Sequence, residues 1–219
     1  MSAVANASRP QSGTQRQKSS KAMKEDIILA GVGGQGILSI ATVIGNAAVK
    51  QNLNLKQAEV HGMSQRGGDV QSHLRLSSGP ISSDLIPHGE CDLIIAMEPM
   101  EALRYLPWLS KKGWIITATA PFVNIPDYPD IEAVKAELAK AGNVIALDAD
   151  ALAREAGSPR SANMALLGAC ASVLGILDAD ALRDGIRAIF GRKGEAIVEA
   201  NLKAFDAGLE FAGKQQLGK

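Results

Sequence analysis

Asp26-Ile27-Ile28-Leu29-Ala30-Gly31-Val32-Gly33-Gly34-Gln35-Gly36 is the stretch of this 219-residue chain that decides its fold. A short apolar run that ends in a glycine cluster is typical of a buried parallel strand that turns into a helix. Residues 37–50 carry apolar side chains at helical spacing, which predicts that helix. The stretch therefore predicts the first strand-turn-helix unit of an α/β sheet.

The rest of the chain continues this alternation. Further strands are predicted at 56–60, 91–97, 114–117 and 144–147, helices at 99–109 and 131–141, and mostly helical chain from 149 onward. The polar-apolar alternation of 70–76 predicts a half-exposed strand with His73 and Arg75 on its solvated face. We expect an α/β, doubly wound domain over 23–219, with a mostly parallel sheet, helices on both faces and a helical C-terminal section. Residues 1–22 have almost no large apolar side chain and are predicted to be a disordered tail.

Composition excludes several classes of function. Lys+Arg and Asp+Glu both number 23, so the formal net charge is zero and nothing attracts nucleic acid or an anionic membrane over a distance. No apolar run approaches the ~20 residues of a membrane span, and we expect a cytoplasmic protein. Cys91 and Cys170 form no CxxC pair, so we expect this chain alone to bind no iron–sulfur cluster, zinc or other cofactor.

The glycine cluster has two interpretations. Gly31, Gly33 and Gly36 satisfy GxGxxG, and the unpaired N–H groups of a helix start suit an anion. Glu59, at the end of the second predicted strand, stands where a dinucleotide fold places its ribose-binding carboxylate. An independent NAD- or flavin-binding module is therefore one hypothesis. The other is that the glycines only allow a tight turn and close packing.

A second polar segment, His61-Gly62-Met63-Ser64-Gln65-Arg66-Gly67-Gly68-Asp69, separates two predicted strands. A simple hairpin loop needs only about two to five residues. The guanidinium of Arg66 and the backbone N–H groups of Gly67 and Gly68 would suit a phosphate, a carboxylate or a charged partner surface. A solvated loop with ordinary side chains is the alternative.

Taken together, the two motifs resemble a known family. GVGGQG at 31–36 and EVHGMSQRGGDVQSHLRLS at 59–77 are similar to the gamma domain of pyruvate and related 2-ketoacid:ferredoxin oxidoreductases. The segment HGMSQRGG most resembles the indolepyruvate type of this family. Residues 161–168 resemble the family's helix start and 194–201 its terminal helix, so the resemblance covers about 24–213.

The resemblance implies an enzyme complex. In this family a 2-oxoacid, an arylpyruvate in the indolepyruvate type, is decarboxylated on thiamine diphosphate, iron–sulfur clusters pass electrons to ferredoxin, and coenzyme A takes the acyl group. Thiamine diphosphate, Mg and 4Fe-4S clusters are then expected in a larger, alpha subunit. This chain would be inactive alone and would form a heterodimer or a dimer of heterodimers with that subunit.

Candidate site residues come from both motifs. We predict catalytic roles for His61, Gln65 and Arg66. The predicted cofactor-binding residues are Gly33, Gly34, Gln35, Gly36, Gly67, Gly68 and Asn163. The 61–69 loop would face the thiamine or coenzyme A region of the partner, or would serve assembly only, or the chain would be a scaffold without any residue in the active cavity. Glu98 is predicted to begin a helix, with a role at the strand end as the alternative.

Overall fold

The computed structural model describes residues 22–61, 68–123 and 125–217, and the predicted tail up to residue 21 lies outside them. The strands of the described chain are β1 (Lys24–Val32), β2 (Asn54–His61), β3 (Asp69–Ser77), β4 (Cys91–Ala96), β5 (Leu109–Ala118) and β6 (Val144–Leu147). The helices are α1 (Ile37–Lys50), α2 (Pro99–Arg104), α3 (Ile131–Ala139), α4 (Ala149–Glu155), α5 (Ala162–Ala171), α6 (Ala179–Phe190) and α7 (Glu195–Leu217).

The described strands form one six-stranded sheet in the order β2-β3-β1-β4-β5-β6. β1, β4, β5 and β6 pair in parallel, and β3 is antiparallel to both β1 and β2. All the described strands except β3 therefore run the same way, which confirms the mostly parallel sheet. After β1 the chain continues to β2 on one side of β1, and after β3 it continues to β4 on the other side. This change in the direction of the connections opens a crevice at the carboxyl ends of the strands.

Helices cover both faces of the sheet, as predicted. Ile27 and Leu29 of β1 pack into the larger core cluster, which includes residues of α1, α4, α5, α6 and α7. Ile28 and Ala30 point to the opposite face and join the smaller cluster, which includes residues of α2 and α3. Since successive side chains of a strand alternate between faces, one continuous apolar strand supplies both cores.

The prediction that the 70–76 strand is half exposed is wrong. β3 lies between β1 and β2, and its outer face is covered by chain from the segment 78–90. His73 is only 5% exposed, its Nδ1 accepts the Ile86 N–H at 3.1 Å, and its ring packs edge-on to Trp108. Burial lowers the pKa of His73 below its ordinary value.

Arg75 is held in the same way. Its Nε and Nη2 donate to the Asp26 carboxylate at 2.7 and 3.0 Å, and its Nη1 donates to the carbonyls of Ser83 and Leu85. The Asp26 carboxylate is almost fully buried, and its hydrogen bonds to Arg75 and Lys24 lower its pKa against the opposing effect of burial. His73 and Arg75 thus contact other parts of the protein rather than solvent.

The helix predicted at 99–109 ends earlier. α2 stops at Arg104, and a 3-10 turn over Leu106–Trp108 leads directly into β5. Pro107 explains the break, because a proline lacks the N–H of a helical hydrogen bond and disfavours helical geometry at the residue before it.

Helices α5 and α7 touch backbone to backbone. A Cβ added to Gly168 would lie 1.8 Å from the carbonyl oxygen of Phe205, and one added to Gly208 would lie 1.8 Å from that of Ala165. Both distances are far below van der Waals contact, so this pair of helices depends on glycine at the two positions.

The start of β1 carries a buried carboxyl group. Glu25 is 9% exposed, and its Oε2 accepts the N–H of Gly175 at 3.1 Å. Burial raises the pKa of this carboxyl to about 7. The folded state therefore favours the protonated form, and the associated stability is lost as the pH rises from the ordinary value of 4.5 through 7.

Replacing Glu25 with glutamine is expected to remove this loss. Between pH 5 and pH 8 the wild type should lose about 2 kcal/mol of unfolding free energy relative to Glu25→Gln. Urea unfolding of both proteins at the two pH values measures the difference. The lowered pKa of His73 has the opposite effect on the pH dependence of stability. Because His73 is present in both proteins, its contribution cancels when the two are compared. Equal pH dependence of the two proteins would contradict the assignment.

Candidate functional site

A cavity of about 370 Å³ opens at the carboxyl edge of the sheet. It is lined by the glycine turn after β1, by Met97 after β4, by the segment after β5 and by the starts of α4 and α5. This is the position where open α/β sheets bind ligands, because the chain reverses its direction across the sheet at β1. The described structure therefore places the candidate site at the predicted glycine cluster.

The glycine turn needs glycine for its backbone conformation. Gly34 has φ +104° and Gly36 has φ +79°, in the left-handed region that other residues rarely adopt. A Cβ on Gly34 would meet no described heavy atom within 4 Å, so space is not the constraint there. Gly33 donates its N–H to the carbonyl of Gly68 at 2.8 Å, which ties the turn to the residue that precedes β3.

Gln35 uses both ends of its amide within the protein. Its Oε1 accepts the N–H of Val32 at 2.7 Å, and its Nε2 donates to the carbonyl of Met97 at 3.2 Å. A Cβ on Gly31 would lie only 3.0 Å from this Oε1. Gln35 lines the cavity, but its amide joins the ends of β1 and β4 and leaves Gly31 little room for a side chain.

Asn163 reaches the glycine turn from 127 residues away. Its Nδ2 donates to the carbonyl of Gly36 at 3.1 Å, and a Cβ on Gly36 would collide with this nitrogen at 2.7 Å. Gly36 precedes α1 and Asn163 lies in the first turn of α5. This hydrogen bond therefore fixes the starts of two helices side by side at the cavity.

The electrostatics at these two helix starts favour an anion. Among the described residues, no side chain caps α1 or α5 and no acidic residue lies in either first turn. Arg160 adds a positive charge to the lining, and Asp150 adds a negative one at the start of α4. Helix starts with free N–H groups and an arginine can hold a phosphate or carboxylate, with Asp150 restricting where it sits.

Several predicted residues are not placed beside this cavity. Gln65, Arg66 and Gly67 lie outside the described residues, as does the side chain of His61, whose backbone ends β2. Gly68 is described, and its carbonyl meets the glycine turn. Since β3 pairs with β1, Gly68 lies beside the turn where β3 begins. The catalytic roles proposed for it stay predictions.

Glu59 does not occupy the position of a ribose-binding carboxylate. β3 separates β2 from β1, so the strand that carries Glu59 lies two strand spacings, about 10 Å, from the strand before the glycine turn. The Glu59 carboxylate accepts the amide of Gln57 at 2.6 Å instead. In a dinucleotide fold the second strand adjoins the first, and the inserted antiparallel strand removes that adjacency here.

The cysteines are poor candidates for metal ligands. Cys91 and Cys170 are fully buried in different core clusters, and burial raises the pKa of both thiols, to about 12 for Cys91. Across 22–61, 68–123 and 125–217 no three His, Cys, Asp or Glu side chains gather as a ligand set. None of the helices in those ranges has the length and apolarity to cross a bilayer.

Two residues of the site could not be predicted from the sequence. Arg160 stands among the helix-start residues Ser158-Pro159 and Ser161, which indicate a boundary but not a cavity. Phe122, on the segment after β5, has no signal at all, because only the tertiary fold brings it to the cavity.

Glu98 caps α2 as predicted, since its Oε2 accepts the N–H of Glu101 at 2.8 Å.

Comparisons with known proteins agree with the resemblance in the sequence. The family model described as pyruvate ferredoxin/flavodoxin oxidoreductase matches residues 26–211. Indolepyruvate oxidoreductase subunit IorB of Methanothermobacter thermautotrophicus is 36% identical over 198 residues, which are 87% of this chain and 98% of that protein. IorB of Pyrococcus horikoshii is 38% identical over 200 residues, 87% and 97% of the two chains.

A solved structure shares the fold. The gamma subunit of keto/oxoacid ferredoxin oxidoreductase from Geobacter sulfurreducens superimposes with a TM-score of 0.67 at 24% identity, over 88% of this chain and 98% of that one. The arrangement of the sheet and helices is thus shared with that protein, and the predicted fold class is confirmed. From its sequence match over most of its length, the chain belongs to the pyruvate ferredoxin/flavodoxin oxidoreductase family.

Proposed function

We propose that this chain is the small subunit of a thiamine diphosphate-dependent indolepyruvate (arylpyruvate):ferredoxin oxidoreductase in the cytoplasm. The complex would oxidatively decarboxylate aryl 2-oxoacids to aryl-acetyl-CoA and pass the electrons to ferredoxin. The observation that carries the proposal is the 36–38% identity to IorB proteins over nearly their whole length. Relatives with other substrates, such as the ketoisovalerate oxidoreductase subunit VorA, match at 31% or less.

The donor groups of the described chain do not fit thiamine diphosphate or iron–sulfur clusters. Its thiols are buried, protonated and apart, and its described acidic side chains form no metal-binding set. We therefore assign these groups to a large alpha subunit, in a heterodimer or a dimer of heterodimers. In that subunit thiamine diphosphate would supply the decarboxylation chemistry, and the iron–sulfur clusters would carry the electrons.

The cavity offers this chain a direct part in the reaction. Its positive side, made by the starts of α1 and α5 and by Arg160, suits the phosphates of coenzyme A. Asn163 would hold the glycine turn in the conformation that exposes those N–H groups. The 61–69 loop, whose residue Gly68 lies beside the turn, would help to close the cavity against the partner's active centre.

Co-purification tests the proposal. The chain is purified alone and with its large partner, and coenzyme A-dependent oxidation of indolepyruvate is followed with a viologen dye. Activity is expected only in the complex, because the groups that decarboxylate and carry electrons are assigned to the large subunit. A stable complex without such activity, or a nicotinamide or flavin bound to the chain alone, would contradict the proposal.

A further inference from the structure

A buried carboxylate, Glu98, lies directly behind the cavity. It follows Met97, a lining residue at the end of β4, and is 1% exposed. Its Oε2 caps α2 by accepting the N–H of Glu101 at 2.8 Å. Capping needs one carboxylate oxygen, and the other oxygen is available to a second set of donors.

The second oxygen holds a different part of the chain. Glu98 Oε1 accepts the backbone N–H of Phe122 at 3.4 Å and a short hydrogen bond from the Tyr128 hydroxyl. Burial and the neighbouring carboxylate raise the pKa of Tyr128, so the phenol keeps its proton and remains a donor at neutral pH. One side chain thus joins the end of β4, the start of α2 and two points between β5 and α3.

One of these two points, Phe122, belongs to the cavity wall. Pro121 and Phe122 line the cavity, yet the described residues between β5 and α3 form no helix or strand. Without the ladder of a strand or the bonds of a helix, this wall depends on side-chain contacts to hold one conformation. A wall that must be ordered when a ligand enters weakens binding by the entropy lost at that moment.

We propose that Glu98 and Tyr128 are positioning residues, which hold the Pro121–Phe122 wall in place so that the cavity binds coenzyme A tightly. Neither residue is required to touch reacting atoms, and the pair acts through the backbone of Phe122. The inference rests on the proposed function and adds to it the residues that set the affinity for the acyl acceptor.

The test is Tyr128→Phe, which removes only the hydroxyl, studied in the complex with the large subunit. The KM for coenzyme A and its Kd, measured by calorimetry without 2-oxoacid, should both rise five- to tenfold, while kcat changes less than twofold. The Phe122 amide should exchange its hydrogen at least tenfold faster. Ser172→Ala, which removes a hydroxyl that donates to Ala169 at the far end of α5, is the control and should change none of these.

The possible outcomes separate the two proposals. A wild-type complex that binds no coenzyme A overturns the proposed function and the ligand named here. Wild-type binding that is unchanged in Tyr128→Phe overturns the positioning role alone. A lower melting temperature with unchanged KM and Phe122 exchange would mean that the hydrogen bond serves stability and not the cavity, which also rejects the inference.

Discussion

Replacing Gly208 with alanine is expected to lower the unfolding free energy by about 3 kcal/mol, the upper end of the usual cost of overpacking. The new Cβ would lie 1.8 Å from the carbonyl oxygen of Ala165, which is backbone and cannot rotate away. Helices α5 and α7 would have to separate, and their shared apolar contacts would be lost. Urea unfolding followed by circular dichroism measures the change.

A second glycine of α7 provides the control. A Cβ on Gly213 would meet no described heavy atom within 4 Å, so Gly213→Ala should stabilise the protein by about 0.5 kcal/mol through helix propensity alone. The two variants make the same chemical change in one helix with opposite expected signs. If both were equally stable, the close contact of α5 and α7 would be wrong.

Replacing Arg66 with alanine is expected to lower turnover of the assembled complex at least tenfold. A hydrogen bond to a charged group contributes roughly 1.5–3 kcal/mol, which corresponds to a factor of about ten to one hundred. We propose that the Arg66 guanidinium contacts a phosphate or carboxylate of the substrate or of the partner surface. Steady-state assays of the complex, with size-exclusion chromatography to check assembly, measure the effect.

An arginine remote from the proposed loop is the matched control. Arg187 on α6 pairs with Asp184 at 2.8 Å on the surface, and Arg187→Ala should leave turnover unchanged. Loss of the complex in Arg66→Ala would instead assign the loop to assembly. Unchanged turnover and unchanged assembly would remove Arg66 from both roles.

The parts of the fold with local signals could be predicted. The apolar run of β1 and the glycines after it gave the first strand, the turn and α1, because these signals lie within a few residues of each other. The insertion of β3 between β2 and β1 could not be predicted, since strand order is a tertiary property. That insertion also separates Glu59 from the position of a ribose-binding carboxylate. The burial of His73 has a different tertiary cause, since chain from the segment 78–90 covers the outer face of β3.

The residues of the candidate site also fall into two groups, those with a local sequence signal and those without one. Gly34, Gly36 and Asn163 belong to motifs that can be recognised in the sequence, and the structure brings them together. Arg160 and Phe122 complete the cavity, but no local pattern connects them with it. The pairing of Tyr128 with Glu98 joins residues 30 positions apart through a single hydrogen bond, for which a sequence carries no periodic signal.

The contact between α5 and α7 has a consequence for where this polypeptide tolerates change. α5 carries Asn163 at its start, rests on α7 through Gly168 and receives a further bond because Ser161 donates to Asn201 of α7 at 3.0 Å. Helix α7 therefore fixes the position of α5, and α5 in turn fixes the position of the glycine turn through Asn163. We expect truncation within α7 to disturb the cavity, although the glycine turn that lines it lies at the other end of the sequence.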